Sequence, residues 1–338
     1  MGASENGLIL GAQKYLTIAD ESSWATKVAS PTYFHLPVTD YNCKFQPVNR
    51  QADPFIGVYE RMHSQNYKGM VQGSLVTPLY GFHLPSMGMS IAQYLLDWCF
   101  GDVESTALSS KFVEWAEGPN VANKKHLGLR VNSATLSGSD DTGNISLSID
   151  LMGWGEIGED GGVDIAGTSI ASSWTAQTLP TNRYKLVDYE YCGTAANADT
   201  TFSLNSSTIY PKSFTLQIQN ALKPEYLNSF NPSIMPRSQR VITLSVVIPK
   251  QSDTWDAYSR LPSMTEMDFS ATLKGLHQGT GTGGTNWTQV ALDASRCSFL
   301  KSSTQGGKGD LSMGQLDFVI LKPQSSTADL TRAYSDVA

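Results

Sequence analysis

Apolar and polar side chains alternate along several segments of the chain. Between Ile145 and Leu151 every second residue is isoleucine or leucine, and the intervening residues are serine or aspartate. Residues 214–219 and 242–248 follow largely the same period of two. Because successive side chains of a β-strand point to opposite faces of its sheet, this pattern predicts strands with one buried face. We therefore predict a mainly β fold.

Turn residues join some of these strands into hairpins. Residues 127–137 carry leucine, valine or alanine at 127, 129, 131, 134 and 136, and the residues 138–143 that separate them from the strand at 145–151 are Gly, Ser, Asp and Thr. Such residues tolerate the backbone angles of tight turns, so the two segments are predicted to pair as a hairpin. A second hairpin is predicted within 294–321, with its turn at the Gly-rich 305–309.

Helical spacing is rare in this sequence. It occurs at 90–100, where Ser90 is suited to cap the first turn and the apolar side chains of Ile91, Leu95 and Trp98 fall on one face. Residues 252–260 predict a second, shorter helix.

The order of predicted elements in the first half recurs in the second. The first half has a strand at 36–45, a long loop, a strand at 69–77, the helix 90–100 and the hairpin 127–151; the second half has a strand at 213–220, a long loop, a strand at 240–248, the helix 252–260 and the hairpin 294–321. Asp150 and Asp317 occupy similar places, each between two apolar residues. We interpret this order as an internal duplication, the alternative being a chance likeness of two β-domains. The predicted units are 1–165, a linker 166–182, 183–323 and a C-terminal tail 324–338.

Composition and charge narrow the classes of function. Of the 338 residues only 16% are charged, the net charge is −7, and no basic run exceeds Lys124 and Lys125. A protein that grips nucleic acid through its phosphates needs clustered Lys and Arg, so this class is disfavoured. No secretion signal or membrane span is predicted. The widely spaced Cys43, Cys99, Cys192 and Cys297 are predicted to be buried thiols in a reducing compartment.

No candidate site for catalysis, a cofactor or a metal emerges from the motifs. The five histidines lack metal-ligand spacing, and the Gly-rich 279–284 lacks the Lys-Ser/Thr ending of a phosphate loop. The acidic stretch 155–164 is interpreted as a solvated linker, with a DNA-facing surface or a cation site as alternatives. We predict that the protein is not an enzyme and uses no cofactor.

Four segments together resemble the two-repeat tail tube proteins of long-tailed, double-stranded DNA bacteriophages. They are a short strand with an acidic turn at 14–26, a Gly-x-Val-x-Gly-Ser-Leu-like strand at 67–78, the hairpin 128–153 and the strand with following turn at 214–224. The chain departs from the family pattern at Ala25, where glycine is usual, and in extra residues around 279–286. The resemblance implies two tandem tail-tube-type β-sandwich or barrel repeats, each with a short flanking α-helix.

The resemblance also implies a function. Subunits would form rings whose inner strands build a continuous barrel, and the rings would stack into the virion's hollow tail tube after synthesis in the host cytoplasm. With two repeats per chain, a trimeric ring with pseudo-sixfold symmetry is predicted over a hexamer. Further partners would be the tape measure protein, tail terminator or distal tail proteins, and DNA in non-adhesive passage. Other tail or baseplate components, or a carbohydrate-binding β-sandwich, are the alternatives.

Two sets of residues are predicted to serve this function. The acidic side chains expected in the lumen are those of Asp150 and Asp317, with solvent or subunit contacts as the alternative. The long loops 46–66 and 221–238 are expected to contact neighbouring rings. Their candidate contact residues are Asp53, Phe55, Tyr59, Arg61, Tyr226, Phe230, Met235 and Arg237.

Overall fold

The computed structural model describes residues 15–26, 34–36, 38–52, 63–80, 83–84, 89–101, 108–116, 124–157, 189–190, 200–249, 266–277, 287–305, 312–322 and 330–335. Within these ranges the chain forms twenty β-strands and one α-helix, and the prediction of a mainly β fold is confirmed. The strands of the first half are β1 Tyr15–Asp20, β2 Phe34–Leu36, β3 Asp40–Tyr41, β4 Lys44–Ala52, β5 His63–Pro78, β6 His83–Leu84, β7 Met89–Ser90, β8 Lys111–Ala116, β9 Lys124–Ser139, β10 Ile145–Gly153 and β11 Gly155–Ile157. Those of the second half are β12 Tyr189–Glu190, β13 Thr201–Leu204, β14 Ser207–Ile209, β15 Ser213–Gln219, β16 Val241–Pro249, β17 Met267–His277, β18 Trp287–Gln305, β19 Met313–Ile320 and β20 Thr331–Ser335.

A ladder of eight antiparallel strands forms the middle of the molecule. Its order is β4, β5, β10, β9, β15, β16, β19 and β18. Both predicted hairpins are present in it, as β9–β10 and β18–β19. The contact between β9 and β15 joins the first half of the chain to the second in one continuous sheet, which does not close on itself.

The longest strands extend beyond this ladder. The N-terminal part of β9 pairs with β8 and β11, and β8 leads on to β1 and β2. In the same way, the N-terminal part of β18 pairs with β17 and β20. A register shift lies within the β9–β10 pairing and within the β18–β19 pairing, and the extra residue at each shift bends the strand and increases its twist.

The helix α1, Ile91–Phe100, confirms the first helical prediction. The Ser90 hydroxyl accepts a hydrogen bond from the Gln93 N–H, which satisfies one of the unpaired donors of the first turn. Gly101 ends the helix at φ 70°, a left-handed conformation that glycine adopts without a steric penalty. The predicted helix 252–260 lies outside the described residues.

One apolar core runs through both halves. Leu75 and Ile149 of the first half belong to the same buried cluster as Leu216 and Phe318 of the second. The backbones of β5 and the segment between β3 and β4 approach so closely that a Cβ on Gly73 would lie 2.4 Å from the Cα of Cys43. Glycine is therefore required at this position for the close approach.

Two predicted boundaries differ from the structure. The segment predicted as one strand at 36–45 is divided among β2, β3 and β4, and the predicted loop 46–66 is shorter because β4 continues to Ala52 and β5 begins at His63. Residues 46–52 lie in an edge strand that pairs only with β5 among the described strands. Such a strand shows no alternation of apolar and polar residues, so it could not be predicted from the sequence pattern. The proposed linker 166–182 lies outside the described residues, and the predicted domain boundaries stay a prediction.

Candidate functional site: the polar face of the sheet

The eight-strand ladder has one apolar face and one polar face. Along β10, β15 and β19 buried residues alternate with partly or fully exposed ones, and the apolar side chains point into the core except those of Met152, Met313 and Val319. The opposite face carries short uncharged side chains across strand after strand. Examples are Ser133, Thr135, Ser137, Ser146, Ser148, Thr215, Gln217, Gln219, Thr243, Ser245 and Gln315.

Both aspartates that the sequence singled out lie on this polar face. Asp150 is exposed and stands opposite Ser133, whose hydroxyl donates a 2.5 Å hydrogen bond to its carboxylate. Asp317 stands opposite Lys301 on one side and Ser245 on the other. Each aspartate adjoins the register shift of its hairpin. The two carboxylates therefore have matching places in the ladder.

The surroundings of Asp317 stabilise its charge. The Gln315 side-chain amide donates to one carboxylate oxygen at 3.0 Å, and the Lys301 ammonium lies 3.5 Å from the other. Partial burial raises the pKa of Asp317, but hydrogen bonds from Ser245 and Gln315 together with the charge of Lys301 outweigh it and hold the pKa below its usual range. The negative charge of Asp317 is thus stabilised by these hydrogen bonds and by the positive charge of Lys301.

The charges on this face nearly cancel. By the alternation of exposed and buried residues along the described strands, this face carries three aspartates and four cations, which are Asp40, Asp150, Asp317, Lys44, Lys68, Arg130 and Lys301. Neither sign is clustered, and the remaining side chains are mostly hydroxyls and amides. Among its described residues this surface lacks the cluster of cations that phosphate binding requires.

The loop between β15 and β16 folds back onto the first half of the chain. Isolated bridges join Leu222 to Arg237 and Glu225 to Ile234. Met235 is 1% exposed and packs with Leu108 and Leu222, while the carbonyl oxygen of Met235 accepts a 2.9 Å hydrogen bond from Arg130. Met235 therefore anchors the loop on its own subunit.

Other predicted contact residues of this loop are more accessible. Phe230 is 44% exposed; its ring stacks on Phe45 at 5.9 Å between centroids, and its carbonyl oxygen accepts the Gly69 N–H. The Tyr226 ring lies beneath the Lys68 ammonium, and Arg237 is half-buried beside Trp24 and Arg130 in a shallow groove. Asp53, Phe55, Tyr59 and Arg61 lie outside the described residues. Contact of either loop with another ring stays a prediction.

The two ends of the ladder are β4 and the C-terminal part of β18. Among the described residues no strand pairs with the outer side of residues 42–46 or of residues 301–305. At the first of these edges the Phe45 N–H donates to the Glu156 carboxylate at 3.3 Å. This contact could not be predicted from local sequence patterns, because Glu156 and Phe45 are far apart along the chain.

Within the described ranges, no group of three or more His, Cys, Asp or Glu residues is arranged to hold a metal ion. In the same ranges no helix has the length and hydropathy to cross a membrane. The polar face and the two open edges are thus the features on which an interpretation of function rests.

Comparison with known families decides the class of protein. The sequence profile of the family described as phage tail tube protein matches residues 11–319, which is most of the chain. The chain belongs to the phage tail tube family. No curated protein matches it significantly.

Membership of the tail tube family confirms the resemblance found in the sequence. It assigns the chain a structural role in a phage tail tube and places it in the tail of the virion. A role of this kind is non-enzymatic in character.

Proposed function

We propose that this tail tube protein assembles side by side into rings, and that the polar face of the eight-strand ladder lines the lumen through which the phage DNA passes. The observation that carries the proposal is the continuity of this face across both halves of the chain. A single subunit already presents eight adjacent strands with most of their apolar side chains turned away from the polar face.

The geometry of closed sheets supports a ring of three chains. Three copies supply 24 strands, which at a spacing of about 4.8 Å and a tilt of about 40° give a barrel roughly 48 Å across between backbones. Six copies would give roughly 96 Å by the same relation. The smaller barrel leaves room for lumen side chains and a DNA duplex without a wide gap, so we favour the trimer with pseudo-sixfold symmetry.

The charge balance of the polar face suits the transport of DNA. A wall of Lys and Arg would release counterions from the phosphates on contact and hold the DNA. A wall of hydroxyls and amides with Asp150 and Asp317 among them offers no such gain, and repulsion from its carboxylates is screened over about 10 Å at 0.1 M salt. DNA would therefore slide along the lumen rather than bind to it.

We assign the stacking of rings to the two long loops of the ladder, between β4 and β5 and between β15 and β16. In the described loop between β15 and β16, Leu227 is 68% exposed and Ile234 is 47% exposed, whereas Met235 fixes the base of the loop. Exposed apolar groups on an anchored loop suit contact with a second copy above or below. The tape measure protein and the terminator or distal tail proteins would meet the two ends of the stack.

Electron microscopy of the purified full chain at rising concentration tests this proposal. Hollow tubes with a regular axial repeat and three subunits per ring are expected. Sixfold identity around the ring would replace the trimer by a hexamer. Rings that never stack would indicate another tail component, and a protein that stays monomeric even when seeded with preformed tail ends would refute the proposal.

A further inference from the structure

The pattern of paired residues in the ladder of the first half recurs in the second half. Within each pair of corresponding strands the difference in residue number is constant. The pairs Asp150–Ser74 and Asp150–Ser133 correspond to Asp317–Ser245 and Asp317–Lys301. Each hairpin skips one residue at the adjoining bulge, which is residue 132 in β9 and residue 300 in β18. Strands β5, β10 and β9 therefore correspond to β16, β19 and β18.

The same correspondence extends to the strand that precedes each ladder. The Thr39 N–H donates to the Val76 carbonyl, and at the equivalent place the Lys212 N–H donates to the Val247 carbonyl. The pairs that follow also match, since Lys44 stands opposite Gln72 as Gln217 stands opposite Thr243. Residues 40–46 thus correspond to 213–219, the segment that forms β15.

Among the described strands, β15 has a second partner that its counterpart lacks. It pairs with β9 along seven residues, including Gln217 with Thr135, Ile218 with Ala134 and Gln219 with Ser133. The counterpart of β9 is β18, and the outer side of its residues 301–305 has no strand partner in the described part of the chain. The outer side of residues 42–46 is open in the same sense.

We infer that subunits join side by side by repeating this internal junction, with residues 42–46 of one copy pairing antiparallel with residues 301–305 of the next. The correspondence sets the register, which places Lys44 opposite Ser303, Phe45 opposite Ser302 and Gln46 opposite Lys301. This inference rests on the proposed ring and names the strands, the register and the partner, a second copy of the chain.

The directions of the backbone groups agree with this register. The hydrogen bond from Asn42 N–H to Ser74 O shows that even-numbered residues of this segment face β5, so the N–H of Phe45 faces outward. The hydrogen bond from the Leu321 N–H to the Arg296 carbonyl shows which residues of β18 and β19 direct their backbone groups toward each other. Because the bulge in β18 shifts this alternation by one residue, the N–H of Ser302 points outward. Phe45 and Ser302 therefore form a hydrogen-bonded pair in the inferred register.

Two further observations bear on the junction. The Glu156 carboxylate, which accepts the Phe45 N–H in the single subunit, occupies the place of the incoming Ser302 carbonyl and would have to give up this bond. At the end of the paired segment, the exposed apolar side chains of Val48 and Leu300 come next to each other. Pairing removes two open sheet edges per contact, and edges left open invite uncontrolled association.

Paired cysteines test the register directly. Gln46 with Lys301, and Lys44 with Ser303, are non-hydrogen-bonded pairs, whose Cα separation of about 4.5 Å is suited to a disulfide. The variants Gln46→Cys/Lys301→Cys and Lys44→Cys/Ser303→Cys should give covalent trimers when assembled protein is oxidised and run on a non-reducing gel. The matched controls use the same four positions with partners exchanged, Gln46→Cys/Ser303→Cys and Lys44→Cys/Lys301→Cys, and should give little cross-linking because diagonal neighbours are about 7–8 Å apart.

A proline variant keeps the test decisive if the cysteines disturb assembly. Ser302→Pro removes an outward N–H that no described strand of the same subunit uses, so the fold should persist while lateral assembly is lost. Ser302→Ala should assemble as the unaltered protein does. Circular dichroism of the dilute protein checks that Ser302→Pro is folded.

The outcomes separate this inference from the proposed function. Tubes that form without cross-links in the inferred register, that cross-link better in the exchanged pairs, or that form equally well with Ser302→Pro would overturn the inference and leave the tube intact. Cross-linked trimers that never stack would support the edge pairing and count against the tube. Absence of both cross-links and assembly in every variant and in the unaltered protein would overturn both.

Discussion

Asn220 ties the two halves of the sheet together, and its replacement should be costly. The side chain is fully buried at the end of β15, and its amide N–H groups donate to the carbonyl oxygens of Cys99 at 3.3 Å and Val131 at 3.0 Å. Cys99 lies in the last turn of α1, and Val131 precedes the bulge of β9. One amide thus connects a helix end, a bulged strand and β15, the strand by which the second half joins the first.

The size of the effect follows from these contacts. Asn220→Ala removes two hydrogen bonds, each with a net contribution of about 1 kcal/mol, and leaves two buried carbonyl groups without this donor. Allowing for partial relaxation, we expect a loss of about 2–4 kcal/mol in the free energy of unfolding. Asn144→Ala, at an exposed position, is the matched control and should change stability by less than about 0.5 kcal/mol.

Asn220→Asp adds a test of direction. A carboxylate would face the same two carbonyl oxygens without an N–H to donate, so burial and repulsion would raise its pKa in the folded protein. Because the folded pKa is raised, this variant should be most stable at low pH and should lose stability as the pH rises through the raised pKa. At neutral pH it should be less stable than Asn220→Ala.

Urea denaturation below the concentration of assembly, followed by tryptophan fluorescence, measures these differences as shifts in the midpoint at constant slope. The reasoning would be refuted if Asn220→Ala lay within about 0.5 kcal/mol of the unaltered protein, or if Asn220→Asp gained stability with rising pH.

Four further predictions concern the face, the close approach, the loop and the thiols. The pKa of Asp317 is lowered in the folded protein, so its charge contributes to stability above about pH 4, and this contribution is lost as the pH falls further. The difference in melting temperature between the unaltered protein and Asp317→Asn should therefore shrink as the pH falls below about 4. Gly73→Ala should destabilise the subunit by about 1–3 kcal/mol in urea, because the new methyl group meets the Cys43 backbone; an unchanged midpoint would contradict the close approach. Met235→Ala should lower stability by about 2–4 kcal/mol and speed proteolysis of its loop, whereas Ile234→Ala should do neither. Since burial raises the pKa of the Cys43 thiol to about 12 and the other described cysteines are buried as well, a thiol reagent at neutral pH should find at most one fast-reacting group in the native protein and four in urea.

Local patterns in the sequence were sufficient to predict the interior strands and the helix. The alternation from Ile145 to Leu151 exists because one side of β10 faces the core, and Ser90 could be chosen as a cap because its hydroxyl competes for a nearby N–H. Residues 46–52 of β4 escaped prediction because an edge strand outside the core carries no such alternation. The pattern of burial, rather than strand formation itself, is what the sequence records.

Partners that are distant along the chain could not be predicted in this way. Nothing in the composition of β9 or β15 states that they pair, because either could complete its sheet with another strand of the same alternation. The position of Asp317 on the polar face followed from alternation, whereas its contact with Lys301 depended on a bulge that shifts the register by one residue. Contacts such as Glu156 with Phe45 require the folded chain.

The pairing of β9 with β15 also has to wait during synthesis, because β15 is made well after β9. About 75 residues separate the end of β9 at Ser139 from the start of β15 at Ser213, and at 5–20 residues per second a ribosome needs roughly 4–15 s to make them. During that interval a nascent chain presents one side of β9 with no partner of its own. On a polysome, where many ribosomes translate the same message, the newly made β15 of a neighbouring chain can occupy that place before it pairs with its own β9, and the two chains then exchange strands. Synthesis of many copies side by side therefore carries a risk of strand exchange. Slower translation between the two hairpins would increase this risk, because β9 would stay unpaired for longer. Prompt release of the second half would reduce it.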